Sequence, residues 1–369
     1  TMKIGVPAET VAGEARVALT PDIARKLIAR GFEVVVQQGA GEPAHYHDPQ
    51  FREAGVGLVS REEALAADIV LGVRRPSLED VAAMADNAIF VGHMESCDGD
   101  DDEIIAAMTA RGIRAVVVER IPRISRAQPM DALSSQSNIA GYRAVIEAAS
   151  HYGRFMPMMM TSAGSAKPAR VVILGAGVAG LQAIVISRRF GADVYAYDVR
   201  PETREQIQSL GAKTIDLDIG ESGSGEGGYA RELSDEAKRR QQELLVDELA
   251  KAHIIVSTAL IPCRPAPRLI PASVVERMRE GSVIVDLAAA TGGNCELTEK
   301  DEVVVRHGVI LVGRTNYPSL LSSDASAFYA QNLFNLLGIM VDQADDGLVL
   351  KNLEEDEITR AATLGECAS

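Results

Sequence analysis

An α/β protein built from two doubly wound parallel-sheet domains is the fold this sequence predicts, and three observations predict it. At 369 residues the chain exceeds what one ordinary hydrophobic core organises. Short runs rich in Val and Ile alternate with helical patterns through both halves, as buried parallel strands and their crossover helices do. The stretch VVILGAGVAGLQAIVISRRFGADVYAYDVR, residues 171–200, is a complete strand, turn, helix and strand.

The elements follow in order. KIGVP opens as a strand, and Thr20 with Pro21 starts a helix over residues 21–29, threonine as N-cap and proline at the first helical position. FEVVVQQGAG, DIVLGVRR, AIFVGHM and RAVVVE read as further strands. Gly39 and Gly41 follow a strand without a third glycine and read as a plain turn. IAGYRAVIEAASH, residues 139–151, has helical spacing and connects the two α/β portions. Beyond residue 200, KTIDLD, HIIVSTAL, SVIVDLA and VILVG supply parallel-type strands. The apolar helix at residues 325–341 is then surplus to the second domain and is expected to return to the first. The boundaries expected are 1–135 with 318–369 for a discontinuous first domain and 136–317 for the second, with a cleft between them.

The glycines of residues 175–180 fit a GxGxxG turn, each for its own reason. Gly175 permits the tight turn, Gly177 lets backbone approach a pyrophosphate, and Gly180 lets helix and strand pack closely, with phosphates on the helix N-terminus. Asp198 ends the second strand, where a carboxylate accepts from ribose hydroxyls and repels a 2′-phosphate, which favours NAD(H). Arg200 is chemically able to meet a 2′-phosphate, but the aspartate comes first at the strand tip.

Composition narrows the partners. A net charge of −15 argues against nucleic acid, which needs clustered Lys and Arg. Cys97, Cys263, Cys295 and Cys367 stand at scattered spacings that indicate neither a disulfide framework nor a zinc site, so a reducing cytoplasm is expected. The first residues run straight into a strand without the pattern of an export signal, and no run is apolar and long enough to span a bilayer. The acidic run 98–103 reads as a solvated helix start rather than a calcium loop, His45 and His47 read as surface residues, and no metal is expected.

Two segments stand out as functional. RIPRISRAQPMDALSSQSN, residues 120–138, concentrates Arg123, Ser125, Gln128, Asp131, Ser134, Gln136 and Asn138, which need partners if the segment faces a cleft and are merely solvated if it does not. It holds no histidine and no nucleophile paired with a base. Oxidising a hydroxyl or amine needs such a group. Hydride exchange between two nicotinamide rings needs only that the rings be aligned. After Ile219, residues 219–242 run on in glycine, serine and acids, with no further apolar residue before Tyr229, so a surface loop is expected: a disordered insertion, or a lid anchored by that tyrosine.

RISRAQPMDALSSQSNIAGYRAV, FMPMMMTSAGSAKPARVVILGAGVAGLQAI, the GGYA loop, STALIPC and DLAAATGGNCELT together closely resemble the NAD(H)-binding component (domain I, the alpha-1 subunit) of proton-translocating NAD(P) transhydrogenases, in the alanine dehydrogenase/transhydrogenase superfamily. The resemblance covers nearly the whole chain. It implies two Rossmann-like domains with a cleft between them and a component of a Si-face-specific, proton-translocating NAD(P)+ transhydrogenase. It also implies a homodimer, peripheral on the cytoplasmic side of the inner membrane, working with a membrane-spanning proton-channel subunit and an NADP(H)-binding subunit.

By the same resemblance Arg123, Gln128, Asp131 and Ser134 would hold the nicotinamide and its ribose, with Ile124 and Ser125 also nucleotide-binding. Val178 would meet the pyrophosphate; Asp198, Val199 and Arg200 the adenosine ribose; Gly228, Tyr229 and Gln241 would belong to the mobile loop; and Leu260 would line the adenine side. Pro129 stands where the family commonly has a small polar residue, and Cys263 where it commonly has glycine.

The superfamily also offers an amino-acid dehydrogenase of the alanine dehydrogenase kind, which uses a lysine and a histidine in its first domain. Arg74 replaces that lysine and is a poor substitute in amine chemistry, while His93 remains available or simply ends a strand. A nucleotide-sensing module without chemistry is a third reading.

Overall fold

The structure, a computed structural model, describes residues 1–97 and 102–365, so residues 98–101 of the acidic run lie outside the described residues. It divides into two compact units, Thr1–Gln136 with Pro318–Ser369, and Ser137–Tyr317. Each is built on a seven-stranded sheet.

The first unit contains β1 (Lys3–Val6), β2 (Glu33–Gln37), β3 (Gly57–Val59), β4 (Ile69–Leu71), β5 (Ile89–Gly92) and β6 (Arg114–Val117). Their order is β3-β2-β1-β4-β5-β6, all parallel, with Thr363–Leu364 added antiparallel to β6. Every residue of β4 and β5 is buried, which is why these strands read as unbroken apolar runs rather than as alternation. The helix Ser322–Met340 inserts Tyr329, Leu333, Leu336, Leu337 and Met340 into the same core as Ile4, Leu27 and Phe51. That burial explains its apolar composition.

In the second unit a small hairpin, β7 (Met159–Thr161) and β8 (Gly164–Ala166), which sequence patterning missed, precedes the main sheet. Its main sheet joins β9 (Arg170–Leu174), β10 (Asp193–Tyr197), β11 (Lys213–Thr214), β12 (Ile254–Ser257), β13 (Val283–Asp286), β14 (Val303–Arg306) and β15 (Val309–Val312). The order is β11-β10-β9-β12-β13-β15-β14, parallel except for β14. Alternate residues feed two cores: Val171, Ile173 and Val256 into one, Val172, Leu174 and Ile255 into the other.

Several expectations need correction. KTIDLD forms a strand only at Lys213–Thr214, because β10 offers this edge just two partners, Tyr195 and Ala196. The connecting helix starts earlier than residue 139 and runs Ala132–His151. Residues 219–242 are not one loop. Their second half belongs to the helix Asp235–Ala250, and Ile219, Leu233 and Ala237 form a small apolar cluster against Val199 and Leu217. Among the cysteines, Cys295 is a buried free thiol. Among the described residues no helix is long and apolar enough to cross a membrane.

Candidate functional site

The turn between β9 and the helix Val178–Arg189 has the geometry its glycines imply. Gly175 sits at φ 91°, backbone that only glycine adopts readily, and a Cβ there would come within 2.6 Å of Thr258 Oγ1. A Cβ on Gly180 would lie 1.7 Å from the carbonyl oxygen of Gly175. A Cβ on Gly177 would meet nothing within 4 Å, leaving open space at the point where a phosphate needs backbone to approach. Gly177 is also the N-cap and provides no side-chain cap, so the first-turn N–H groups from Val178 onward keep donors for an anion.

The neighbouring loops are held by two polar side chains that sequence reasoning did not single out. Asn294 Oδ1 accepts from Ser257 Oγ at 2.5 Å and Ala259 N at 3.1 Å, while its Nδ2 donates to Ala259 O at 2.9 Å and Pro267 O at 2.8 Å. The buried Asp286 accepts from the backbone of Ala288, Asn294 and Cys295 and from Thr298 Oγ1. Together they set the course of residues 258–260, at the end of which Leu260 is 47% exposed. DLAAATGGNCELT was visible as a motif; the buried carboxylate at its head was the available signal. Cys263, where glycine is the familiar residue, has φ 58°, the left-handed backbone that glycine favours.

At the tip of β10, Asp198 is committed more fully than its sequence position suggests. Its Oδ2 accepts from Ala176 N at 2.7 Å and Arg200 Nη2 at 2.9 Å, and its Oδ1 from Arg200 N at 2.8 Å and Nε at 2.9 Å. The remaining guanidinium nitrogen, Nη1, donates to the carbonyl of Gly228. Residues 220–231 fold back on this turn: Gly223 N donates to Val199 O at 3.1 Å, and Ser224 Oγ donates to the Glu202 carboxylate at 2.6 Å. Tyr229 is half-buried in this segment. Gln241 is a correction, since it lies on the helix Asp235–Ala250, buried, with Nε2 donating to Tyr197 Oη at 3.0 Å.

In the first unit, residues Ser125–Met130 form a 3-10 turn ahead of the helix Ala132–His151. Asp131 caps that helix, accepting from Ser134 N at 3.0 Å and Ser134 Oγ at 2.5 Å, a structural duty that the sequence did not disclose. Pro129 O accepts from Asn332 Nδ2 at 2.9 Å and Asn335 Nδ2 at 2.8 Å, which anchors the turn. Gln136 faces inward and accepts from Arg16 Nη1 at 2.9 Å. Arg123, Ser125, Gln128 and Asn138 are exposed, and Ile124 is half-buried.

A second polar cluster lies past the ends of β1, β4 and β5. Arg16 grips the buried Glu14 with Nη2 at 2.6 Å and Nε at 3.0 Å, and Arg74 Nε adds a contact at 3.2 Å while its Nη1 pairs with Glu95. His93 Nδ1 bonds Val73 O at 2.7 Å, its ring stacks on Tyr329, and burial pushes its pKa down. Both arginines and the histidine are thus engaged within the protein. The ion pairs and hydrogen bonds around Glu14 outweigh its burial and hold its carboxyl at about 2. Burial of Glu9, whose Oε1 accepts from the backbone of Val73 and Arg74, raises its pKa to about 7. A folded pKa above the unfolded value means stability that is full below the unfolded pKa and is lost as pH rises to 7. Glu9→Gln is therefore expected to be more stable than wild type at pH 8, on the order of 2 kcal/mol after allowance for partial exposure, with the gain gone near pH 4.5. Urea unfolding at both pH values checks this, and equal stability at pH 8 refutes it.

A glycine turn into an uncapped helix, with a carboxylate at the next strand tip, defines a dinucleotide-binding α/β protein. Comparison with known proteins agrees. Residues 5–140 match the family described as alanine dehydrogenase/PNT, N-terminal domain, and residues 144–366 the alanine dehydrogenase/PNT, C-terminal domain. The first of the chains that make up the NAD(P) transhydrogenase alpha subunit of Rhodospirillum rubrum is 46% identical over 367 residues, covering 97% of this chain and 95% of that protein. The crystal structure of transhydrogenase from Sinorhizobium meliloti superposes with a TM-score of 0.85 at 38% identity, covering 99% of this chain and 97% of that one. An L-alanine dehydrogenase structure reaches 0.81 at 26% identity, covering 99% and 96%. The chain belongs to the alanine dehydrogenase/PNT family. Within it the chain falls with the transhydrogenase alpha subunits, as the NAD-binding component of an NAD(P) transhydrogenase, and alanine dehydrogenases are more distant kin.

Proposed function

We propose that this chain binds NADH and passes its hydride to NADP+ held by a partner subunit. The observation that carries the reading is the turn at residues 175–180, with open space at Gly177 beside an uncapped helix N-terminus. The sequence has one complete fingerprint of this kind, so the second nucleotide belongs to another chain. The NAD(H)-binding domain is residues 136–317, and residues 1–135 with 318–369 make up the other.

The first-turn N–H groups of the helix beginning at Val178 receive the pyrophosphate, with Gly175 and Gly180 shaping the turn, and Asp198, Val199 and Arg200 receive the adenosine ribose. Leu260 covers the adenine. Arg123, Gln128, Asp131 and Ser134 orient the nicotinamide and its ribose, with Ile124 and Ser125 alongside, and Gly228 and Tyr229 come with the loop that closes on the nucleotide. Hydride passes ring to ring, so these side chains align the reactants and no acid, base or metal takes part. The chain works as a homodimer, peripheral on the cytoplasmic face of the inner membrane, through a membrane-spanning proton-channel subunit and the NADP(H)-binding subunit. Arg74 pairs with Glu14 and Glu95 and His93 Nδ1 bonds Val73 O, which weighs against their serving an amino-acid substrate.

Reconstitution tests this. The chain alone is expected to give no transfer from NADH to an NADP+ analogue, transfer is expected once the NADP(H)-binding subunit is added without membrane, and L-alanine with NAD+ is expected to give no turnover. Alanine-dependent formation of NADH overturns the proposal.

A further inference from the structure

We propose that Tyr152, Arg154, His253 and Arg279 form a site for a phosphate dianion at the edge of the second unit's sheet remote from the glycine turn. All four residues belong to that unit, and they gather where β9 and β12 begin, whereas the turn at residues 175–180 follows the end of β9. His253 Nδ1 lies 2.9 Å from Arg170 N, a backbone donor, so Nδ1 accepts and the ring's hydrogen sits on Nε2. Arg279 Nη1 stands 3.3 Å from that Nε2. Both atoms are then donors and cannot bond one another, so what satisfies the pair is an acceptor lying against both. The buried Tyr152 stacks on the imidazole with ring centroids 6.1 Å apart.

The charge around the cluster has one sign. Although the chain carries −15 overall, the charges acting on His253 are Arg279, Arg154 and Arg170, and those acting on Tyr152 are Arg154 and Arg279. Burial, and after it these arginines, hold the pKa of His253 down, so the ring serves as a neutral donor. Among the described residues no carboxylate acts on either ring. Arg170 is neutralised by Glu248 at 2.9 Å, which leaves the charges of Arg154 and Arg279 unmatched. Cations are ordinary just beyond helix C-termini, where these two arginines stand, but a histidine donor facing one of them is not. A dianion matches two charges, and its several oxygens can accept from guanidinium, imidazole and phenol together. A carboxylate brings one charge and two oxygens.

The full chain is titrated with inorganic phosphate against sodium chloride of equal ionic strength, with NADH present in excess so that phosphate does not compete for the glycine turn. The imidazole resonances of isotope-labelled histidine are followed by NMR, and His253→Asn, which keeps an acceptor for Arg170 N, identifies the signal of His253. That signal is expected to shift saturably with phosphate and not with chloride. Arg154→Gln and Arg279→Gln alter exposed side chains, so both proteins are expected to fold, and each is expected to weaken phosphate binding about tenfold. Arg277→Gln, which removes an arginine paired with Asp247, is expected to bind phosphate as wild type does. Glycerol phosphate distinguishes the two sources of the group: tighter binding than the free ion assigns the site to phosphate esters, and weaker binding assigns it to phosphate itself. A His253 signal that does not respond to phosphate, a response kept by both arginine variants, or acetate binding as tightly as phosphate overturns the proposal.

Discussion

Gln128→Asn is expected to slow hydride transfer on the order of 100-fold while leaving NADH affinity nearly unchanged, because a small misplacement at the reacting atoms is that costly. The structure supplies the reason to expect a positional effect. The turn Ser125–Met130 is anchored through Pro129 O to Asn332 and Asn335, so the backbone stays in place when the side chain is shortened. The Gln128 side chain is itself exposed, and among the described residues it makes no side-chain hydrogen bond that would rearrange. Removing one methylene therefore retracts the amide and changes little else. Single-turnover transfer and NADH titration in the reconstituted complex separate the two effects. Affinity falling in proportion to rate would make Gln128 a binding contact only.

Gly180→Ala is expected to destabilise the second unit by about 3 kcal/mol, the upper end of overpacking costs. The new methyl would sit 1.7 Å from Gly175 O and 2.7 Å from Gly175 C, atoms of backbone that cannot swing aside. The helix Val178–Arg189 has to retreat from β9, which also spoils the turn. Gly177→Ala provides the contrast. Its Cβ meets no protein atom and its φ of −77° suits alanine, so the fold is expected to persist while NADH binding is lost. Urea unfolding with NADH titration reads both, and a Gly180→Ala protein within about 1 kcal/mol of wild type would refute the packing argument.

Reading the sequence succeeded where geometry is local. The turn at 175–180 and the carboxylate at the tip of β10 have the backbone geometry that residue type and spacing imply. Roles set by distant neighbours were not legible. Gln241 reads as part of a polar stretch, yet the helix Asp235–Ala250 turns it inward to Tyr197. Asp131 and Ser134, by contrast, pair locally, three residues apart, and their capping contact was missed because the helix start was placed at residue 139 instead of 132.

What the sequence by itself determined is the α/β class with its two parallel sheets, the strand and helix rhythm, and the dinucleotide turn, because period, glycine placement and strand-end residues are properties of short stretches. What only the tertiary structure decided is which polar groups meet: Glu14 with Arg16 and Arg74, Asn294 with the loop after β12, Arg200 with both Asp198 and Gly228. A side chain's partner depends on where distant backbone is brought by packing, and short-range pattern carries no information about that distance.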